Sequence, residues 1–301
     1  MAIQGVCPVL ALPFTADGEV DLPSFRNVVR WIISLKTEQV MIFGVASENI
    51  KLTDPERIQI LTALMEEKDG SSLKVIASVA DHSMELAIER AKLWESMGAD
   101  YINILPPSNF SPSKEQTLEH LRGVLGAVKI PVIIQHLPQA GGMDDVSDIA
   151  MLHKEFANLA MIKCEANPPM ESIERVAAIT NKEVDTLVGW GGIRWLEGSH
   201  AGAVGVQPGC SMTDAYLWAE DALNRNDDKE FTDRLNKFIP WITHWITNLE
   251  QLIAIEKEIL FRRGIIANSY CRRPTVNIHT DELEKEITAA LNFLKEVPSH
   301  V

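Results

Sequence analysis

The sequence predicts a (β/α)8 barrel followed by an α-helical extension, and three observations support this prediction. Eight short runs are almost continuously apolar, amphipathic helical patterns separate them, and the strand signal stops after about residue 226. Apolar runs that alternate with helices are typical of parallel strands buried on both faces. Eight such strands close a barrel, which favours this fold over an open sheet.

The predicted strands follow one another along the first two thirds of the chain. They cover residues 5–13, 39–45, 73–79, 100–105, 131–136, 159–165, 185–190 and 202–207. Helix-start signals lie between them. Asp54 is predicted to cap a helix with Pro55 at its first position, Ser83 to open another, and Ser113 to form a capping box with Gln116. An open doubly wound fold is the alternative, but it predicts a glycine-rich phosphate loop, and neither GxGxxG nor GxxxxGK occurs.

The domain boundary is predicted at a polar break around residues 224–228. Residues 1–226 would form the barrel. Residues 227–301 contain apolar positions only at helical spacing, and we expect them to form a helical C-terminal domain.

Composition limits the possible partners and the compartment. Of 301 residues, 46% are hydrophobic and 23% are charged, and the net charge is −14. This charge argues against nucleic acid and anionic membranes as partners, because both require a basic surface. No leader-like segment or long apolar span is evident, and the four cysteines and eight histidines show no ligand spacing. We therefore expect a cytoplasmic protein that needs no metal or other cofactor.

Lys163 is the first candidate catalytic residue, because it lies inside the apolar run of residues 159–165. Lysine is rarely buried unless it is paired or used in chemistry. Burial disfavours the charged amine and makes it available for a Schiff base. A lysine that extends its amine to the surface is the alternative. Barrel active sites lie at the carboxyl ends of strands, which is where Lys163 falls, so the catalytic interpretation is favoured.

Other strand ends supply candidate partners for Lys163. Glu165 shares its face and would pair with the amine, or else face water at the rim. At the end of strand five, Gln135 and His136 are candidates for catalysis, although a single histidine is more often a hydrogen-bonding group. Residues 44–49 form either an anion cradle built from backbone N–H groups or an ordinary turn. The candidate substrate-binding residues are Ala46, Ser47, Glu48, Ser108, Gly205, Val206 and Gln207.

Together these motifs resemble the dihydrodipicolinate synthase / N-acetylneuraminate lyase family over essentially the whole chain. Residues 44–49, followed by Leu52, resemble the family's G-[TS]-T-G-E-x motif. Ile162-Lys163 with nearby Glu165 resembles its I-K-[ED] strand, and residues 202–205 resemble its G-A-x-G motif. The resemblance implies a barrel with a helical C-terminal domain and a homo-oligomer, either a tetramer or a dimer. It also implies that Lys163 forms a Schiff base with pyruvate or another 2-oxo acid.

The chain departs from the family pattern around this lysine. The tyrosine that relays protons in the family corresponds to Gln135, and the strand-four tyrosine falls near Pro107 or Ser108. Val45 and Ala46 replace residues that are commonly hydroxylic. The arginine that holds the synthase's second substrate falls at Ala140. The lysine is therefore present while the tyrosine relay is not.

Three functions follow as hypotheses. The first is a Schiff-base lyase that cleaves a 4-hydroxy-2-oxo acid or dehydrates a deoxy sugar acid, and that is not a true dihydrodipicolinate synthase. Ser47, Ser108, His136, Glu165 or a water would then move the proton. The second is a non-catalytic protein that binds or senses a 2-oxo acid. The third, a metal-dependent barrel enzyme, is the weakest, because no His/Asp/Glu cluster occurs at the strand ends.

Overall fold

We describe the protein from a computed structural model, which covers residues 3–138 and 143–298. Ala140 lies outside these residues. Within the described residues, eight strands are present, one in each predicted apolar run. They are β1 (Gly5–Val6), β2 (Gln39–Ile42), β3 (Lys74–Val79), β4 (Tyr101–Ile104), β5 (Val132–His136), β6 (Leu159–Cys164), β7 (Asp185–Val188) and β8 (Gly205–Val206).

One helix follows each strand, apart from short 3-10 turns. These helices are α1 (Leu22–Ser34), α2 (Asp54–Lys68), α3 (Met84–Ser96), α4 (Lys114–Ala127), α5 (Val146–Met151), α6 (Met170–Ile179), α7 (Trp195–His200) and α8 (Thr213–Asn224). The helices that follow are α9 (Asp228–Leu235), α10 (Ile239–Trp245), α11 (Leu249–Arg262) and α12 (Asp281–Glu296). Eight parallel strands that alternate with helices, with further helices at the C-terminus, confirm the predicted fold class.

The chain divides into two compact units, and their limits differ from the predicted domain boundary. The first contains the residues up to Gly5 together with residues 74–207, and the second contains residues 6–73 and 208–301. This division reflects the density of packing. The boundary between residues 226 and 227 remains a prediction, although α8 and α9 end and begin beside it.

The first unit is organised by strands β3 to β8, which pair in parallel in chain order. Their burial is almost complete, as expected for strands with helices on their outer face. Residues that are paired in register point to the same face of a parallel sheet. Ser78 therefore shares a face with Asn103, and Gln135 shares one with Lys163.

The second unit carries the N-terminal strand residues and most of the C-terminal helices. Val9 bridges Met41 on one side and Gly209 on the other, both in parallel. Asp21 caps helix α1, because its side chain accepts the Ser24 N–H, and Pro23 lies in the first turn of the helix. The core of this unit contains the fully buried aromatic side chains of Phe14, Phe25, Phe231, Phe238 and Trp245.

Helix starts largely follow the sequence signals. Ser83 caps α3, and Ser113 caps α4 in a reciprocal capping box with Gln116. The predicted Asp54 cap is wrong by one residue. Thr53 caps α2, because its hydroxyl accepts the Glu56 N–H while the Glu56 carboxylate accepts the Thr53 N–H. Asp54 instead adds negative charge to the first turn, where the helix dipole favours it.

Across the described ranges, no helix is both long and apolar enough to cross a membrane. The four cysteines all lie within these ranges, where they are buried and form no disulfide with one another.

Candidate active site

Lys163 and Glu165 form a buried pair at the carboxyl end of β6. Lys163 Nζ lies 3.3 Å from Glu165 Oε1, and each side chain is only 8% exposed. The alternation of side chains along a strand puts residues 163 and 165 on one face, while Cys164 points to the other. Burial raises the pKa of the Cys164 thiol, so this cysteine is not a nucleophile at neutral pH. The amine therefore has a carboxylate beside it that can accept its proton.

Gln135 lies beside this pair on the neighbouring strand. It is in register with Lys163 between β5 and β6. Its Nε2 donates a short hydrogen bond to Glu165 Oε2. An amide cannot gain or lose a proton near neutral pH, so Gln135 holds the carboxylate but cannot relay a proton.

The loop after β7 supplies further donors to Glu165. The backbone N–H of Trp190 donates to Glu165 Oε1 at 3.2 Å, and the indole Nε1 donates to the Glu165 carbonyl at 2.8 Å. Trp190 has a φ of 47°, an uncommon conformation for a residue with a side chain. Such backbone conformations concentrate at functional sites. Both carboxylate oxygens of Glu165 therefore accept a hydrogen bond, Oε1 from the Trp190 N–H and Oε2 from Gln135 Nε2.

Gly189 makes room for that carboxyl group. A Cβ at this position would lie 2.1 Å from Glu165 Oε1 and 2.2 Å from its Cγ. Any larger residue would therefore displace the carboxylate.

Asn103 and Ser78 extend the polar contacts along the same sheet face. Asn103 Nδ2 donates to Ser78 Oγ at 2.9 Å and lies 3.4 Å from Gln135 Oε1. Both residues are almost completely buried. A continuous polar row therefore runs from Ser78 through Asn103 and Gln135 to Glu165 and Lys163.

His136 does not belong to this row. Its Nε2 lies 3.0 Å from the Met143 carbonyl, and its register partner is Cys164 on the other face. Burial lowers the pKa of His136, so the ring is neutral near pH 7. Ser108 lines a small cleft together with Gln135, His136 and Met143.

In the second unit, the residues of the predicted anion cradle form a tight turn. Ala46 and Ser47 lie in a 3-10 turn, Val45–Ser47, after β2. The Ser47 N–H donates to the Gly44 carbonyl at 3.1 Å, and its Oγ donates to the Leu10 carbonyl at 2.7 Å. Ser47 thus uses both its donors within its own unit.

Glu48 is paired with two lysines. Its side chain is fully buried, with Lys257 Nζ on Oε1 and Lys51 Nζ 3.1 Å from Oε2. The Lys257 ammonium also lies 4.1 Å from the centre of the Phe14 ring. These contacts explain why a charged residue can be buried there.

The strand-eight candidates are packed closely. A Cβ at Gly205 would lie 2.4 Å from the Gly5 carbonyl oxygen, so glycine is needed for backbone packing. Val206 is fully buried and in register with Val188. Gln207 is 3% exposed, and its N–H donates to the Val188 carbonyl at 2.9 Å.

The structure brings the candidate catalytic residues Lys163, Gln135 and Glu165 together, and it adds Ser78, Asn103, Gly189 and Trp190. Asn103 carried a usable signal, since it is a polar residue inside an apolar strand, as Lys163 is. Trp190 acts through its backbone N–H and its indole N–H, and Gly189 acts by having no side chain; neither contact can be recognised from a single sequence. Within the described residues, His244, Glu282 and Glu286 are the one group with metal-like spacing, and they lie on α10 and α12.

Comparison with known proteins decides the family. The model of the dihydrodipicolinate synthetase family matches residues 2–292. The chain belongs to this family. A similar curated relative, L-2-keto-3-deoxyarabonate dehydratase of Azospirillum brasilense, is 25% identical over 284 residues, covering 92% of this chain and 90% of the relative. The 4-hydroxy-tetrahydrodipicolinate synthase of Chlorobium phaeobacteroides is 31% identical over 172 residues, which is 57% of each chain.

Solved structures of the dihydrodipicolinate synthetase family have the same fold. The dihydrodipicolinate synthase of Rhodopseudomonas palustris superposes with a TM-score of 0.87, at 21% identity and 98% coverage of both chains. That of Thermotoga maritima also gives 0.87, at 20% identity and coverage of 97% of this chain and 99% of the other. The predicted fold and family are confirmed, as is the predicted class, a lyase that acts on a 2-oxo acid through a Schiff base.

Proposed function

We propose that this lyase removes water from a 2-oxo-3-deoxy sugar acid through an imine on Lys163, with Glu165 moving the proton. The observation that carries the proposal is the 3.3 Å separation between Lys163 Nζ and Glu165 Oε1, with an amide instead of a phenol at residue 135. Ser108, Gly205, Val206 and Gln207, which lie in the same unit as Lys163, keep the substrate-binding roles predicted from the sequence.

The first step is imine formation. The Lys163 amine gives up its proton to the adjacent carboxylate and adds to the C2 carbonyl of the substrate. The carbonyl oxygen leaves as water with the proton that Glu165 returns, so that a protonated C2=N bond to Lys163 remains and Glu165 is again a carboxylate. The imine then acidifies the hydrogens on C3.

The second step is elimination. C3 is two bonds from the imine nitrogen, so a carboxylate beside that nitrogen is also close to C3. Glu165 takes one C3 proton, which gives an enamine. The C4–O bond then breaks, and the hydroxyl leaves as water with the proton that Glu165 returns. Hydrolysis of the conjugated imine restores Lys163.

Aldol cleavage makes a different demand. It requires a base on the C4 hydroxyl, one carbon further from the imine nitrogen, before the C3–C4 bond breaks. The family tyrosine would act there, but this chain has Gln135, which cannot exchange protons. The similarity to the Azospirillum brasilense enzyme, named as a dehydratase, also favours elimination.

The experiment is product analysis with a panel of 2-oxo-3-deoxy sugar acids of five and six carbons. Nuclear magnetic resonance separates elimination, which gives a dehydrated 2-oxo acid, from cleavage, which releases pyruvate and an aldehyde. Glu165→Gln should lower the elimination rate by on the order of 10²–10⁴-fold. Glu183→Gln, at an exposed carboxylate of the same unit, is the matched control and should not change it.

Two results would contradict the proposal. Release of pyruvate and an aldehyde would indicate an aldolase. Tight binding of 2-oxo acids without either product would indicate the non-catalytic binding protein that the sequence left open.

The oligomeric state and the cellular compartment are also part of the proposal. We expect a homo-oligomer, tetramer or dimer, in the cytoplasm, as is usual for the family. Sedimentation analysis of the full chain would measure the oligomeric state.

A further inference from the structure

We infer that Asn103 is a positioning residue, whose amide determines which end of Gln135 faces Glu165. This inference rests on the role proposed for Glu165 as the group that takes the C3 proton. Asn103 is fully buried, and Gln135 links it to Glu165.

The direction of the hydrogen bonds follows from the chemistry of an amide. Gln135 can present either an oxygen or an NH2 group to Glu165 Oε2. The carboxylate accepts and cannot donate, so it selects Nε2. Gln135 Oε1 must then point the other way, towards Asn103.

Asn103 reinforces that selection from the other side. Its Nδ2 donates to Ser78 Oγ at 2.9 Å and is 3.4 Å from Gln135 Oε1. If Asn103 turned its oxygen towards Gln135, two acceptors would face each other. The only consistent arrangement is one in which Asn103 donates to Gln135 and Gln135 donates to Glu165.

The carbonyl oxygen of Asn103 shows that an asparagine at this position is unfavourable for folding stability. Asn103 Oδ1 is buried and has no hydrogen-bond partner among residues 3–138 and 143–298. A buried acceptor without a partner destabilises a protein, and an apolar residue at this core position would avoid that. An asparagine here is therefore better explained by what its NH2 group does than by packing.

The consequence for the reaction concerns the proton on Glu165. With Nε2 towards Glu165, Gln135 stabilises the ionised carboxylate, the form that can accept a C3 proton. With Oε1 in that place, the same contact would favour the protonated acid. Asn103 therefore keeps the Gln135 donor on the form of Glu165 that accepts the C3 proton.

The test uses the full-length protein and pyruvate, so that it does not depend on the sugar acid. In D2O, an imine with pyruvate loses C3 hydrogens to Glu165 and exchanges them for deuterium, which nuclear magnetic resonance follows over a range of pH. In Asn103→Leu and Asn103→Asp, we expect the acid limb of the pH–rate profile for exchange to move to higher pH. At low pH the exchange rate should fall about ten-fold, with the pyruvate KM unchanged.

Two further variants separate positioning from folding. Ser78→Ala removes only the hydroxyl that accepts the Asn103 Nδ2 hydrogen bond. It should therefore shift the acid limb of the pH–rate profile in the same direction, but by less. Asn158→Leu removes a structural asparagine, whose Nδ2 donates to the Leu125 and Val128 carbonyls at 3.0 Å each. It should lower the melting temperature without moving the limb.

The outcomes are distinct. If both Asn103 variants trap pyruvate on Lys163 with borohydride but keep the wild-type acid limb, the inference is overturned. If the wild-type protein shows no exchange, the role of Glu165 and this inference fall together. If exchange occurs but no sugar acid is dehydrated, the proposed function alone is wrong.

Discussion

The carboxyl group of Glu165 occupies the space that a side chain at Gly189 would fill. A Cβ at residue 189 would lie 2.1 Å from Glu165 Oε1. Gly189 has a φ of −96°, outside the left-handed region that favours glycine. The glycine therefore serves the space around the carboxylate rather than a turn.

This relationship predicts the effect of Gly189→Ala. The methyl group should push the carboxylate away from the Lys163 amine and lower kcat by at least about ten-fold, as small misplacements do in active sites. Imine trapping with pyruvate should persist, because Lys163 itself is not displaced. Steady-state kinetics and intact mass measure the two effects.

Gly126→Ala is the matched control for that substitution. Gly126 lies on α4, and a Cβ there meets only the Phe156 ring, at 3.5 Å. Its kcat should be unchanged and its stability the same or slightly higher. A wild-type kcat in Gly189→Ala would contradict the proposed role of Glu165.

His136 is predicted to be dispensable for proton transfer. Burial lowers its pKa and its Nε2 contacts the Met143 carbonyl, so it is neutral and turned away from Lys163. His136→Asn should change kcat by less than about ten-fold, below the usual effect of losing an acid–base residue. The pH profile should keep its shape. A missing inflection in the variant would instead assign His136 to the relay.

Lys257 and Glu48 are predicted to stabilise the second unit. Lys257→Met leaves Glu48 buried with only Lys51 as its partner, and should lower the free energy of unfolding by about 3 kcal/mol or more. Glu48→Gln combined with Lys257→Met should cost less than the two single changes together. Denaturant unfolding measures these values.

The control pair lies on the surface of α9. Lys229 and Asp233 are 87% and 61% exposed, so Lys229→Met should not measurably change stability. If Lys257→Met unfolds no more easily than this control, the buried pair is not structural, and the sequence-based role of Glu48 in substrate binding gains support.

Glu256 is predicted to make stability depend on pH. Burial raises the pKa of Glu256 to about 7, against the opposing hydrogen bond from the Ser211 N–H. The folded state thus holds a proton that the unfolded chain releases above pH 4.5. This stabilisation is complete below that pH and is lost as the pH rises through about 7.

Glu256→Gln removes this titration and keeps an oxygen for Ser211. The variant should be more stable than the wild type at pH 8, by up to about 3 kcal/mol, and similar to it near pH 4.5. Thermal unfolding at both pH values measures the difference. An equal change at the two pH values would show that Glu256 does not titrate in this range.

The fold could be predicted because its signals are local and repeated. Each apolar run became a strand, and Ser83 and Ser113 cap helices as expected. The shift of the α2 cap from Asp54 to Thr53 shows the limit of such signals. Both residues are good caps, and only the reciprocal bonds with Glu56 select Thr53.

The site could be predicted only in part. Lys163 and Glu165 were visible because charges in an apolar run are unusual, and Gln135 because it departs from a family pattern. The contact of Glu48 with Lys257 joins residues 209 positions apart, and the Trp190 N–H is a backbone group. Neither contact can be recognised from a single sequence, because both depend on which segments pack together in the fold.

The central claim is that Lys163 forms an imine with a 2-oxo acid. The most direct measurement is borohydride reduction in the presence of pyruvate, followed by intact mass and peptide mapping, with Lys163→Arg as the control. We expect one reduced pyruvate adduct per chain, on Lys163, and none in the variant. An unmodified wild-type chain, or an adduct on another lysine such as Lys257, would contradict it.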